Sequence, residues 1–208
     1  MLDDSLALTP ELLAALRECW RRVHAPITAV FKPGLDESEI DRLTAQLGLT
    51  LPFEARIWWR ELDVRVPDRE AGEDDVMTGA GWGFLPLESA VRDAVRQREM
   101  AAQIAESPGW PPGKTRWVDG WMPLCWIDHG RLVIDCADPT SPISPVRYVQ
   151  WVEIPEGPPP TRSIGELVSW WIEAFDTRGY YLDETTDPPM LWERDDRLDH
   201  PGRAAGVA

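Results

Sequence analysis

Leu12, Leu13, Leu16, Cys19, Trp20 and Val23 recur at the three-to-four spacing of one helix face. Thr9 can cap that helix and Pro10 suits its first turn, so the pattern predicts a helix over about 10–24. A second helical period follows in Ile40, Leu43 and Leu47. It is better marked at its ends. Asp36 stands three residues before Glu39 as in a capping box, Leu35 and Ile40 occupy the two positions of a hydrophobic staple, and Gly48 is placed to end the helix in the left-handed conformation. The stretch LGLTLPFEARIWWRELD then predicts a helix over about 52–62, with Pro52 in its first turn. Leu51, Ala55, Trp58 and Leu62 share one face of it. Trp59 lies about 100° round, and Phe53 and Ile57 fall on a further side. A helix apolar over most of its circumference is expected between two layers, so the paired tryptophans read as packing, with Trp58 the more deeply buried.

The period changes after that. Residues 63–81 are polar and read as a long loop; WGFLP, from Trp82 to Pro86, reads as a short strand. A helix over about 88–106 buries Val91 and Val95. WMPLCWI (121–127) and RLVIDCA (131–137) flank Asp128-His129-Gly130, a hairpin signal in which Gly130 would supply a positive φ. PVRYVQWVEI is a third strand candidate. Ser163 and Glu166 then form a capping box for a last helix buried through Ile164, Leu167, Val168, Trp171 and Phe175. Helices, then hairpin-linked strands, then a closing helix indicate the α+β class rather than a doubly wound sheet. The expected organisation is one domain over residues 1–182, and an acidic, proline-containing, weakly packed tail over 183–208, anchored by Met190, Leu191 and Trp192.

Composition narrows the function. The net charge is −15, from 36 acidic and 21 basic residues. That argues against nucleic-acid and anionic-membrane surfaces, which need clustered lysine and arginine. It is compatible with a basic protein partner. Arginine outnumbers lysine 19 to 2, a bias typical of a high-GC bacterial gene. No signal peptide or membrane span is expected. With only Cys19, Cys125 and Cys136 and no CxxC, the simplest expectation is reduced thiols in the cytoplasm.

The candidate chemistry is sparse. GWPPGKT (109–115) ends like a phosphate-binding loop, but one residue too few separates its glycines, and Pro111 and Pro112 have no N–H to offer. GAGWGF (79–84) opens a strand instead of a helix. His24, His129 and His200 read as surface residues. Cys125 and Cys136 read as packed thiols on one side of the hairpin. Asp128, Asp135 and Asp138 form a carboxylate group that could hold a divalent cation or do acid–base work, but no His, Lys or Arg accompanies it in register. No catalytic, cofactor-binding or metal-ligating residue is assigned. Two acidic stretches stand out, 61–75 and 183–199. The first leaves the tryptophan helix and returns at Trp82, so ordering it on a partner costs less entropy than ordering a tail. Asp63, Asp68, Glu70, Glu73, Asp74 and Asp75, with Asp128 and His129 of the hairpin, are therefore the expected partner contacts. Leu51, Pro52, Trp58, Trp126, Asp135 and Trp171 are the expected structural core.

Taken in order, four motifs resemble the SUKH superfamily. GLDESEIDRLTAQLGLTLPFEARIWWRELD is similar to its acidic-capped helix, glycine turn and aromatic helix. WGFLPLESAV is similar to the strand and helix that follow, MPLCWIDHGRLVIDCADP to its strand–loop–strand ending in aspartate, and SIGELVSWWIEAF to its closing helix. The resemblance spans about residues 10–180. Asp63-Val64 stands where the family usually has Asn-Gly, and the hairpin loop has fewer glycines than is common there. The resemblance implies an antiparallel sheet of about four to six strands flanked by N-terminal helices and a C-terminal helix. It further implies a non-enzymatic binding module without a cofactor. Bacterial members include immunity proteins that silence a secreted toxin, often a nuclease, whereas the yeast Smi/Knr members regulate cell-wall assembly. Three readings follow: an immunity protein for a basic toxin domain, a regulatory scaffold, and a metal-dependent hydrolase built on the aspartate group.

Overall fold

In the computed structural model the described residues are 7–29, 31–64, 76–79, 82–107, 117–127, 130–150, 161–177, 179–185 and 190–193. The first helix, α1 (Pro10–Arg22), begins where Thr9 Oγ1 accepts the Leu12 amide at 3.2 Å. It ends in a turn closed by the Ala25 amide on the Trp20 carbonyl at 2.9 Å, with His24 at φ 54°. α2 (Glu37–Thr44) starts at Asp36, which accepts the Glu39 amide at 2.8 Å. A 3₁₀ turn, Ala45–Leu47, carries it to Gly48, left-handed at φ 64° as its position predicted. α3 (Phe53–Glu61) follows Pro52, and α4 (Leu87–Ala105) follows Pro86. At α5 (Ile164–Asp176), Ser163 accepts the Glu166 amide at 2.9 Å. The Glu166 carboxylate reaches one residue further back than a capping box requires, to the Arg162 amide at 2.6 Å.

Two short strands, β1 (Phe31–Lys32) and β2 (Asp63–Val64), pair antiparallel. The main sheet is an antiparallel meander. It runs β3 (Val76–Gly79), β4 (Trp82–Phe84), β5 (Trp121–Ile127), β6 (Gly130–Asp135) and β7 (Val146–Gln150), in that spatial order. β3 falls inside the stretch read as loop, because its four residues lack the apolar alternation that marks a half-buried strand. Pro123 stands in a central strand, and the β5–β6 register shifts between it and Cys125, the irregularity at which a residue without an N–H is tolerated. β8 (Tyr180–Asp183) pairs antiparallel with β9 (Met190–Glu193), so the expected domain boundary at 182 falls within a strand. The class is α+β.

The expectation for Gly130 is overturned. Ile127 pairs with Gly130, which makes Gly130 the first residue of β6 instead of part of the loop. Its lack of a side chain serves another purpose: a methyl there would enter the Tyr148 ring on β7.

The core lies where α3 meets both the sheet and α5. Trp58 stacks on Phe84 of β4 with centroids 5.1 Å apart and planes 11° from parallel, and meets Trp171 of α5 at 6.3 Å. Trp59 points another way and donates its Nε1–H to the Leu85 carbonyl at 3.1 Å. The expected difference between the two is absent, since each is 0% exposed. The chain following β4 covers one tryptophan as fully as the sheet and α5 cover the other. Leu51, Pro52 and Trp171 are buried as expected. Trp126 and Asp135 are only half-buried. Trp126 lies over Gly83, whose missing side chain its indole replaces. Asp135 turns an oxygen to the Ala137 amide at 3.0 Å and so serves a surface turn, not the core.

Candidate functional site

At the start of α3 the usual polarity is inverted. Phe53 is 56% exposed and its neighbour Glu54 is 0% exposed. The helical period explains the exchange: Glu54 lies one turn before Trp58, on the inward face, whereas Phe53 is about 100° away. Glu54 is paired inside by four backbone amides. Its Oε1 accepts Leu8 N–H at 2.6 Å and Gly165 N–H at 3.0 Å; its Oε2 accepts Ile164 N–H at 3.2 Å and Ser144 N–H. Two of these donors are first-turn amides of α5, which have no partner within their helix and form its positive end. Burial pushes the carboxyl above the ordinary glutamate range, against the opposing pull of the four amides. Glu54 thus ties α3 to the N-terminal segment, to α5 and to the β6–β7 connection.

That connection and α2 form the walls of a shallow concavity of about 570 Å³ around Phe53. Asp41, Thr44, Leu49, Arg56 and Pro139 line it. Arg56 fixes the α2 wall: its Nε donates to Glu37 at 2.7 Å, and Nη1 and Nη2 donate to Asp41 Oδ1 at 2.8 and 2.7 Å. Beside the lining residue Pro139 in sequence, exposed Asp138 accepts the Thr140 hydroxyl at 2.6 Å and its amide at 2.9 Å. These bonds hold its carboxyl below the ordinary aspartate range. The face is open, half apolar and half polar.

A second concavity, about 30 Å³, is a slot between α4 and the β6–β7 end of the sheet, lined by Gln97, Met100, Ile104, Trp117, Arg131 and Gln150 among others. At its base Arg131 Nε donates to Asp93 Oδ2 at 2.6 Å, and both residues are buried. Arg96 donates to the other Asp93 oxygen at 2.6 Å. Burial raises the Asp93 carboxyl, but the bonds and charges of Arg131 and Arg96 outweigh it and hold the group below the ordinary aspartate range.

Of the expected partner contacts, Asp63 contributes its backbone to β2, while Asp68, Glu70, Glu73, Asp74, Asp75, Asp128 and His129 lie outside the described residues, as does the GKT loop. Asp135 and Asp138 each accept the amide two residues on, so the two serve separate turns. Among the described residues no group of three or more His, Cys, Asp or Glu side chains could hold a metal ion. Cys125 and Cys136 are buried free thiols. Burial pushes the first far above the ordinary thiol range and the second up to about 12. No helix among the described residues is long and apolar enough to cross a membrane. Sequence reasoning missed Phe53 and Asp41 as surface features and Glu54 and Asp93 as buried ones. The signal for Glu54 was present: a carboxylate at the helical spacing of the core face, four residues before Trp58. Set against models of protein families and against curated proteins, the chain matches none.

Proposed function

We propose that this chain is a non-enzymatic protein-binding module of the SUKH type, acting as an immunity protein that binds and neutralises a basic toxin domain. The observation that carries the reading is the open concavity around the exposed Phe53. A protein partner needs an aromatic anchor inside a polar rim on a broad face, whereas a small substrate needs an enclosed cleft. The acidity of the chain supports a basic partner, because complementary charge speeds encounter. The engagement of Asp135 and Asp138 in their own turns favours a structural role for them over the hydrolase reading.

The test is affinity capture of the tagged protein from its source cell, followed by co-expression of each captured partner with it. Relief of growth arrest caused by a captured toxin domain supports the proposal. Capture of envelope-assembly proteins, with no toxin and no relief, overturns it in favour of the regulatory scaffold. Micromolar affinity for Ca²⁺, Mg²⁺ or Zn²⁺ by calorimetry, lost in Asp135→Asn, overturns it in favour of the hydrolase.

A further inference from the structure

We infer that Glu54 is a proton-operated latch, which holds the N-terminal segment 7–9 against α3 and α5 and releases it on mild acidification. The inference is independent of the binding-module reading. It starts from what surrounds the carboxylate. Glu54 is fully buried and its partners are four neutral amides; among the described residues no Lys, Arg or His forms an ion pair with it. A buried carboxylate without a counter-cation is the kind that takes up a proton most readily. The charged and titratable groups on the segments around it are engaged elsewhere or exposed. On α3, Arg56 holds Glu37 and Asp41. At the start of α5, Arg162 holds Glu166. Beside the N-terminal segment, Glu11 is exposed. In the β6–β7 connection, Asp138 accepts from Thr140, and burial keeps the Cys136 thiol neutral.

Each carboxylate oxygen faces two N–H donors: Leu8 and Gly165 on Oε1, Ser144 and Ile164 on Oε2. A proton on either oxygen turns an acceptor into a donor pointing at donors, so one amide must withdraw. Ile164 and Gly165 are fixed in the first turn of α5. Ser144 is fixed by the pairs on either side of it, Asp135 N–H to the Pro145 carbonyl and Val146 N–H to the Thr161 carbonyl, each at 3.1 Å. The Leu8 amide has no acceptor but Glu54 and stands outside α1. Oε1 is therefore the oxygen that takes the proton, and the N-terminal segment is the part that moves. Burial pushes the Glu54 carboxyl above the ordinary glutamate value. The folded chain thus takes up this proton before the unfolded chain does. The group's contribution to stability is complete below the ordinary value and declines as pH rises through the higher folded value. Release is accordingly local, inside an intact fold. Asp93 acts in the opposite sense and only further into acid.

The experiment follows the full chain, labelled with carbon and nitrogen isotopes, by NMR as pH is lowered from neutral into mild acid. The Glu54 carboxyl carbon and the amides of Leu8, Ser144, Ile164 and Gly165 should titrate with one shared midpoint above the ordinary glutamate value. Below that midpoint the hydrogen-exchange protection of the Leu8 amide should fall about tenfold or more, the weight of one charge-assisted hydrogen bond. The Ile164 and Gly165 amides should stay protected, and the denaturant midpoint should not drop. Glu54→Gln cannot charge and keeps one acceptor oxygen, so its Leu8 amide should be poorly protected at every pH and the shared titration should vanish. Should that variant fail to fold, the carboxyl carbon of the wild-type chain still decides. A carboxyl carbon with no inflection above the ordinary value overturns the latch, because the group then stays charged. A shared midpoint with Leu8 protection unchanged overturns the release. Loss of protection at Leu8 together with Ile164, Gly165 and the denaturant midpoint is global acid unfolding, and it overturns the inference as well.

Discussion

The residue on which most of the structure converges is Glu54. A buried carboxylate is tolerable only when donors surround it, and four amides from three separate segments do so. Removing it leaves those amides without a charged acceptor in a closed space. Glu54→Ala should cost about 3–5 kcal/mol, read as a lower denaturant midpoint, whereas Glu166→Ala at the exposed end of α5 should cost about 1 kcal/mol. Equal losses in the two would show that the four bonds do not act together. Asp93 gives the pH dependence. Its folded carboxyl sits below the ordinary value, so the ion pair's contribution is complete above the unfolded value of about 4 and is lost as pH falls through the lower folded value. Asp93→Asn should thus lie well below wild type in stability at pH 6, and the gap should narrow below about pH 4. A gap independent of pH would show that Arg131 and Arg96 do not set the Asp93 carboxyl.

At the scale of the element, α3 carries the fold because its tryptophans point in different directions. Trp58→Ala and Trp59→Ala should each cost about 3–5 kcal/mol, the ordinary loss for a fully buried large aromatic. Trp59→Phe isolates the Nε1–Leu85 bond and should cost about 1 kcal/mol plus the smaller volume. A Trp59→Ala midpoint equal to wild type would show that Trp58 alone carries the packing of this helix. How much was legible follows the same physics. Thr9, Asp36, Gly48 and Ser163 act through local backbone geometry, and each stands where its residue type predicted. β3 pairs with the adjoining β4, and β8 with the adjoining β9, but these strands are only four residues long and carry little apolar alternation, so the hydrophobic pattern did not announce them. The α+β class was readable because it needs only the order of elements. The Phe53 face was not, because it joins α2, α3 and the β6–β7 connection, and Phe53 read simply as one more apolar residue on an apolar helix.

For the whole molecule, charge and shape act on different steps of association. A net charge of −15 raises the encounter rate with a cation over distances of about one Debye length, roughly 10 Å at 0.1 M salt. In the proposed binding role, the Phe53 concavity acts only after contact, by holding what has arrived. The two contributions therefore separate kinetically. Asp74→Lys with Asp75→Lys, in the acidic stretch expected from sequence to meet the partner, should lower the association rate for a basic partner. The effect should be large at about 20 mM salt and small at about 300 mM, where the field is screened, with little change in dissociation. Phe53→Ala should do the opposite, speeding dissociation about tenfold or more at either salt while leaving association nearly unchanged. Surface-plasmon or stopped-flow measurements on the four combinations of variant and salt resolve the two. If Phe53→Ala instead slows association in a salt-dependent way, the aromatic is not an anchor, and the acidic surface alone carries recognition.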